Sequence, residues 1–261
     1  MMHIKRPVVA GLFYPGKASE LKAAMDDLMQ TTDDDSAERP YALIAPHAGY
    51  QYSGPVAATA SASLGPWAAQ IRRVAVLAPS HRIGFRGIAT SSADVFQTPL
   101  GDIPVDRSAL QQLRRLPGVL TLDEAFAQEH ALEVQLPFLQ AVLPTFELGP
   151  LVVGEADIDD VSRIIDHLIA PETLIVVSSD LSHFLDYESC QQRDRSTTAL
   201  IEKLQEDEIG PYDACGAFPL RGLLKSARRH GWRVRTLDLR NSGDTAGDKS
   251  RVVGYGAYEF Y

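Results

Sequence analysis

The sequence has few cysteines and no long apolar run, and each shortage excludes a class of protein. Its 261 residues include two cysteines, Cys190 and Cys215, so at most one disulfide can form and no C-x-x-C motif is present. We therefore expect two free thiols in a reducing compartment. No apolar run approaches the roughly 20 residues of a membrane-spanning helix, and the first residues lack the apolar core of a signal peptide. These features predict a cytoplasmic protein with no membrane association.

Positive charge is also scarce. The chain has 25 Lys and Arg against 34 Asp and Glu, a formal net charge of −9, which argues against a general nucleic-acid binder because such proteins need a basic face. The length allows one large or two small domains. Residues 31–40 form the one linker-like stretch, which is too short to separate domains and is predicted to be a loop. Because candidate site residues are spread from 47 to 244, we predict a single domain over 1–261.

Short apolar segments alternate with helical patterns along the chain. The predicted strands are 41–45, 74–78, 150–153, 174–177, 234–239 and 252–260, and the last of these could run antiparallel. The predicted helices are 17–30, 53–64, 106–116, 123–142, 157–169, 186–205 and 216–230, with Pro137 expected to bend or interrupt its helix. This alternation predicts an α/β fold, a three-layer α/β/α domain whose mainly parallel central sheet is covered on both faces.

Polar side chains follow four of the predicted strands. His47, His81 and His183 each come shortly after a strand, together with Asp180 and Asp244. One histidine after a strand is usually an ordinary loop residue, but ligands of parallel sheets bind at the carboxyl ends of the strands. Two imidazoles and a carboxylate form the facial triad of non-haem Fe(II) sites, and the same set could hold zinc or manganese.

A further pair of residues lies inside the predicted helix 123–142. His130 and Glu133 are three positions apart and would share one helix face. Two interpretations stay open here. The pair either decorates a surface helix or takes part in proton transfer, a role that suits histidine near neutral pH.

Six sequence blocks carry a resemblance to a known family. They are 10–15 (AGLFYP), 45–54 (APHAGYQYSG), 78–81 (APSH), 129–137 (EHALEVQLP), 178–183 (SSDLSH) and 241–244 (NSGD). In these blocks, and along nearly the whole chain, the sequence resembles the Memo-like family, known in prokaryotes as component B of the AmmeMemoRadiSam system. That family is similar to the catalytic subunits of class III extradiol dioxygenases, which implies a single α/β/α domain.

The resemblance also implies roles for individual residues. It implies His47, His81 and Asp244 as ligands of a divalent metal, with Fe(II) expected first and zinc or copper as alternatives. It implies His183 as the acid/base residue and His130 as a pocket histidine that contacts substrate. Asp180 is a candidate to orient His183, as carboxylates beside functional histidines often do.

The tyrosines of the recognisable blocks are further candidates. Tyr14, Tyr50 and Tyr52, together with Glu133, are predicted to bind substrate. Core packing is the alternative for the tyrosines, because a buried tyrosine normally finds a partner for its hydroxyl.

Three functions follow from these residues. The first is a non-haem Fe(II)-dependent oxidoreductase acting on a small phenolic or related substrate. The second is a non-catalytic metal-binding accessory protein that works with a radical SAM enzyme and an AMMECR-type protein, partners that the family name implies. The third is a metal-dependent hydrolase, in which zinc would generate a hydroxide nucleophile. Assembly into a homo-oligomer is left open.

Overall fold

The computed structural model of the chain describes residues 2–30 and 38–261, and residues 31–37 of the predicted loop lie outside this part. Its strands are β1 (Ile4–Lys5), β2 (Ala42–Ala45), β3 (Arg73–Pro79), β4 (Ile88–Thr90), β5 (Val95–Thr98), β6 (Gly101–Pro104), β7 (Val119–Thr121), β8 (Glu147–Val153), β9 (Thr173–Ser178), β10 (His183–Leu185), β11 (Val234–Asn241) and β12 (Val252–Phe260). Its α-helices are α1 (Ala18–Met29), α2 (Tyr50–Ala62), α3 (Arg107–Leu113), α4 (Glu124–Ala127), α5 (Gln135–Val142), α6 (Ile158–Leu168), α7 (Tyr187–Glu202), α8 (Ala217–His230) and α9 (Ser242–Thr245).

The largest sheet has the strand order β10-β12-β2-β9-β3-β8-β4-β7, and β11 also pairs with β12. Its four central strands, β2, β9, β3 and β8, are parallel to one another. Nearly every residue of these strands is buried, as expected for apolar runs in a sheet that is covered on both faces. A smaller sheet, in the order β1-β5-β6, packs beside it. The predicted α/β fold with a mainly parallel central sheet is confirmed.

Helices pack against this sheet and against each other. Helix α2 contacts α1, α5 and the strand β2, whereas α8 packs on α6 and contacts both β3 and β9. The α6–α8 contact depends on Gly222, because a Cβ atom at this position would collide with the side chain of Val161. Among the described ranges no helix has the length and apolar character to cross a bilayer.

The direction of the strands decides which loops meet. Strands β2, β9 and β3 are neighbours and parallel, so the residues after Ala45, Ser178 and Pro79 emerge at one edge of the sheet. Strand β11 points the same way, since both β11 and β2 are antiparallel to β12. However, β12 lies between β11 and β2, and each strand spacing adds roughly 4.8 Å. The loop after β11 is therefore set to one side of the other three.

The predicted helix over 123–142 is wrong. The segment forms two short helices, α4 and α5, with a non-helical stretch over 128–134 that contains His130 and Glu133. A physical reason is the carboxylate of Glu129, which accepts the backbone N–H groups of His130 and Ala131 at 2.9 Å each and so competes with helical hydrogen bonding. Pro137 does not interrupt a helix, because it lies in the first turn of α5, where a missing N–H costs little.

Candidate metal centre

Three histidines converge at the carboxyl edge of the sheet. His47 follows β2, His81 follows β3, and His130 lies in the turn before α5. Each offers one ring nitrogen, and these nitrogens all lie within 4.8 Å of one another. The ring centroids are 5.2 Å apart for His47 and His81, 5.6 Å for His47 and His130, and 5.1 Å for His81 and His130. Three nitrogen donors at this spacing can hold one metal ion.

Hydrogen bonds fix the orientation of the His47 ring. Its Nδ1 lies 2.9 Å from the Ser178 hydroxyl, which donates its own proton to the carbonyl of Ala131 at 2.6 Å. The hydroxyl must therefore accept the proton of Nδ1. The amide of Gln135 also donates to this hydroxyl, at 2.8 Å. This arrangement leaves Nε2 of His47 without a proton, and an unprotonated ring nitrogen is the form that binds a metal.

Glu129 has the corresponding role for His81. One carboxylate oxygen lies 2.9 Å from His81 Nδ1, and the other accepts the backbone N–H of His81 at 2.6 Å. The imidazole thus donates Nδ1–H to a carboxylate and keeps Nε2 for a ligand, as metal-binding histidines commonly do. Burial alone would raise the pKa of Glu129, but the hydrogen bonds from His81 and Ala131 outweigh burial and lower it to about 2.

Burial keeps two of the histidines neutral. His47 is only 2% exposed, and removal from water, reinforced by the neighbouring His81, lowers its pKa to about 3. Burial, reinforced by the neighbouring imidazole of His47, similarly lowers the pKa of His130 to about 4. The Nδ1 atom of His130 is buried without a hydrogen-bond partner among the described residues. Neutral imidazoles with free lone pairs are the donor set that a divalent metal requires.

The thiol of Cys215 is the site residue that the sequence interpretation missed. Its Sγ lies 3.3 Å from His47 Nε2, and burial raises the pKa of this thiol above its usual range. The residue comes from the loop before α8, where its N–H donates to the carbonyl of Asp180 at 3.3 Å. No spacing motif marks Cys215, so only the tertiary contact reveals it.

The structure places Asp244 outside the histidine group, and its role as a metal ligand stays a prediction. One oxygen accepts the Tyr187 hydroxyl at 2.5 Å and the other accepts the backbone N–H of Asn241 at 2.9 Å. The second contact belongs to a capping box that starts α9. Because β12 separates β11 from β2, the carboxylate sits to the side of the site. His130 replaces it as the third candidate ligand.

His183 and Asp180 lie beside the group but are not arranged as predicted. The Nδ1 of His183 is 2.8 Å from the carbonyl of Leu181, which orients the ring and leaves Nε2 free. Asp180 does not orient His183; its Oδ1 accepts the backbone N–H of His47 at 2.7 Å. Burial raises the pKa of Asp180, although the N–H donated by His47 and the nearby imidazoles of His183 and His130 oppose the rise.

A cleft of about 990 Å³ opens beside the histidines, with His130 and Asp180 in its wall. Tyr14, Tyr50 and Tyr52 all line it. The first two are also buried and hydrogen bonded, Tyr14 to Glu133 at 2.7 Å and Tyr50 to the carbonyl of Val134 at 2.9 Å. Core packing and a place in the binding cleft, the two alternatives for these tyrosines, are therefore compatible, because the rings pack against the core and also form the cleft wall.

Glu133, predicted to bind substrate, has structural partners instead, and substrate binding by this residue stays a prediction. Its carboxylate is buried, and it accepts the backbone N–H groups of Val8 and Val9, at 2.7 and 3.0 Å, and the hydroxyl of Tyr14. Glu133 does not line the large cleft. It anchors the N-terminal segment that forms one wall of the cleft.

Comparison with known proteins adds a family-wide similarity. A family model described as "Memo-like protein" matches residues 5–259. The chain is 33% identical to a "MEMO1 family protein" of Aquifex aeolicus over 267 residues, covering 97% of this chain and 98% of that protein. It is 35% identical to a protein of the same description from Aeropyrum pernix over 283 residues, covering 98% and 99%.

A solved structure supports the fold alone. It is described as the crystal structure of uncharacterized protein JW3007 from Escherichia coli K12, and it aligns with a TM-score of 0.56 at 14% identity. The alignment covers 85% of this chain and 99% of that chain. The α/β architecture is therefore shared with a protein of very different sequence.

Proposed function

Since this chain belongs to the family of Memo-like proteins, we propose that it is a metal-dependent enzyme that binds a small molecule in the cleft beside His47, His81 and His130. The observation that carries the proposal is the convergence of three imidazole nitrogens within 4.8 Å of one another. The cleft wall includes His130, so a substrate in the cleft would lie against the ligand group.

The residues fit a divalent metal. His47 and His130 are kept neutral by burial, and the Nδ1 atoms of His47 and His81 are engaged by Ser178 and Glu129. Fe(II), zinc and copper all accept imidazole ligands. The sulfur of Cys215, close to His47 Nε2, would add a soft donor, and thiolates favour zinc or Cu(I).

The reaction class proposed first is oxidation of a small phenolic or related substrate. The bound metal would supply a Lewis acid and a binding position for oxygen or a substrate hydroxyl. The free Nε2 of His183 can accept a proton from such a hydroxyl, because Nδ1 is occupied by the carbonyl of Leu181. The raised pKa of Asp180 makes its carboxyl a proton carrier closer to neutral pH than an ordinary aspartate.

Hydrolysis is the second candidate, and one observation favours it. The metal-capable group contains three imidazoles and no carboxylate, a ligand set that is known for catalytic zinc with an open water position. In this case the bound metal would supply a hydroxide nucleophile, and His183 and Asp180 would handle protons as before.

The two candidates differ in metal and co-substrate, so one experiment separates them. Protein purified without oxygen is loaded with Fe(II) or with zinc, and oxygen uptake is followed with a panel of catechols. Iron-dependent oxygen uptake supports oxidation. Tight iron binding with no uptake across the panel contradicts oxidation, and one equivalent of zinc that persists under iron supplementation favours hydrolysis.

His183→Ala tests the assigned proton transfer. This variant should keep its metal and lose most of any turnover, because general acid–base groups contribute roughly 10²–10⁴-fold. His167→Ala, which removes an exposed histidine of α6, is the control and should keep both metal and turnover. Loss of metal in His183→Ala would mean that His183 is itself a ligand.

A further inference from the structure

A strained aromatic residue, Phe184, lies against Arg251, which lines the cleft. Phe184 follows His183 directly and has a positive φ of 62°, a conformation that is rare for a bulky side chain. Its ring is 60% exposed to solvent rather than packed in the core. Backbone strain of this kind concentrates at functional sites.

The exposed ring of Phe184 supports a cation. The guanidinium carbon of Arg251 lies 4.4 Å from the centroid of the Phe184 ring, and Arg251 lines the same cleft as His130 and Asp180. Within the described parts of the chain, no hydrogen bond or ion pair engages this guanidinium. An aromatic ring offers no strong hydrogen-bond acceptor, so the N–H groups of this guanidinium remain available to an oxyanion.

The surrounding acids do not neutralise Arg251. Both oxygens of Asp248 accept hydrogen bonds from Ser250, at 2.8 Å from the backbone N–H and 2.9 Å from the hydroxyl. Asp248 therefore closes the turn that presents Arg251. Asp27 also lines the cleft. Among the described residues that line the cleft, Arg251 is the one arginine or lysine, so it offers a defined contact for a negative group at a position separate from the histidines.

We propose that Arg251, held on the ring of Phe184, binds an oxyanion group, a carboxylate or a phosphate, of the small molecule that occupies the cleft. This inference rests on the proposed function, since it assumes that the ligand lies between Arg251 and the histidines. It restricts the substrate class to compounds with an apolar or aromatic body, matched to the tyrosines of the cleft wall, and an anionic group at one end.

Binding of a matched pair of probes tests the proposal. The affinity of 4-hydroxybenzoate and of its neutral isostere 4-hydroxybenzamide is measured by calorimetry on the wild-type chain, Arg251→Gln and Lys249→Gln. Lys249 is the control, because its ammonium lies 4.3 Å from the centroid of the Tyr187 ring but does not line the cleft. We expect Arg251→Gln to lower the affinity for 4-hydroxybenzoate about tenfold, the scale of one charge-assisted contact. The affinity for 4-hydroxybenzamide should not change.

Several outcomes would overturn the assignment. One is an equal loss of affinity for the acid and the amide in Arg251→Gln. Another is a loss of affinity for the acid in Lys249→Gln as large as in Arg251→Gln. The third is no binding of the acid to the wild-type chain. Competition by inorganic phosphate identifies the group: displacement of the acid assigns a phosphate site, and no displacement assigns a carboxylate. All titrations are run on metal-free and on zinc-loaded protein. If the wild-type chain binds the acid but no zinc, the proposed metal site is refuted and the assignment of Arg251 as the anion contact stands.

Discussion

At the scale of single residues, Glu129 links two of the candidate ligands. Its carboxylate accepts hydrogen bonds from Nδ1 of His81 and from the backbone N–H groups of His81, His130 and Ala131. One buried side chain therefore sets the ring orientation of His81 and the backbone position of His130. The negative charge of Glu129 would also compensate the positive charge of a metal ion held by these histidines.

Replacing Glu129 should loosen the metal. We expect Glu129→Gln to weaken metal affinity roughly 10- to 100-fold, the usual effect of removing the partner of a ligating histidine. A chelator competition titration measures this change. Glu155→Gln is the control, because Glu155 pairs with Arg86 on an exposed surface. Unchanged affinity in Glu129→Gln would show that the Glu129–His81 contact does not support metal binding.

The low pKa of His47 predicts how acid destabilises the metal-free chain. The pKa falls from 6.5 to about 3 on folding, so below pH 6.5 the unfolded chain takes up a proton that the folded chain refuses. The stability contribution is complete above pH 6.5 and is lost towards pH 3. By pH 5 the free energy of unfolding should fall by roughly 2 kcal/mol from this residue.

Urea unfolding at pH 7.5 and pH 5.0, with chelator present, checks this prediction. His47→Gln should lose less stability over the interval than the wild-type chain, since glutamine does not titrate. The pKa of Glu129 lies at about 2 in the folded chain, so its own contribution is lost mainly below pH 4.5 and does not disturb the comparison. Equal losses in both chains would contradict the buried, neutral state of His47.

Sequence reasoning succeeded for residues that follow neighbouring parallel strands and failed where tertiary contacts decide. His47 and His81 could be expected to meet, because β2 and β3 both lie next to β9. Asp244 follows a strand of the correct direction, but the sequence does not reveal that β12 lies between. Cys215 approaches His47 from a distant loop, and nothing in its local sequence marks that contact.

At the scale of elements, the segment before α1 forms a cleft wall that is held by one buried carboxylate. Glu133 accepts the backbone N–H groups of Val8 and Val9 and the hydroxyl of Tyr14. Phe13 of the same segment places its ring 4.9 Å from that of His130. The segment therefore connects Glu133 to the candidate metal centre without taking part in it.

Removing that carboxylate should release the segment. Glu133→Ala leaves the buried donors of Val9 and Tyr14 and the half-buried N–H of Val8 without this partner. Each buried donor costs about 1–3 kcal/mol, so the free energy of unfolding should fall by about 2 kcal/mol or more. Hydrogen exchange over residues 8–14 should accelerate. Glu208→Ala, at an exposed position, should change neither quantity. Slow exchange over 8–14 in Glu133→Ala would show that other contacts hold the segment.

The predictability of the elements follows their length. The alternating pattern located the central strands and the long helices to within a few residues. It missed β4, β5, β6 and β7, which have three or four residues each, because so few residues show no clear period. The sequence pattern places the stretch 128–134 inside a helix. In the structure, the carboxylate of Glu129 accepts the backbone N–H groups of His130 and Ala131, and the stretch is not helical.

At the scale of the whole molecule, the sheet brings together residues that are far apart in the sequence. His47, His81, His130 and Cys215 come from four loops: two follow the strands β2 and β3, and two precede the helices α5 and α8. The family membership and the α/β fold agree with this arrangement. Partnership with a radical SAM enzyme and an AMMECR-type protein stays a prediction, as does a homo-oligomeric state.

The metal content of single-residue variants tests the central claim most directly. Protein purified in the presence of Fe(II) or zinc is analysed by elemental mass spectrometry for the wild-type chain, His47→Ala, His81→Ala, His130→Ala and Asp244→Asn. We predict about one equivalent of metal in the wild-type chain and in Asp244→Asn, and a large loss in each histidine variant. Full metal content in His130→Ala together with loss in Asp244→Asn would contradict the three-histidine site.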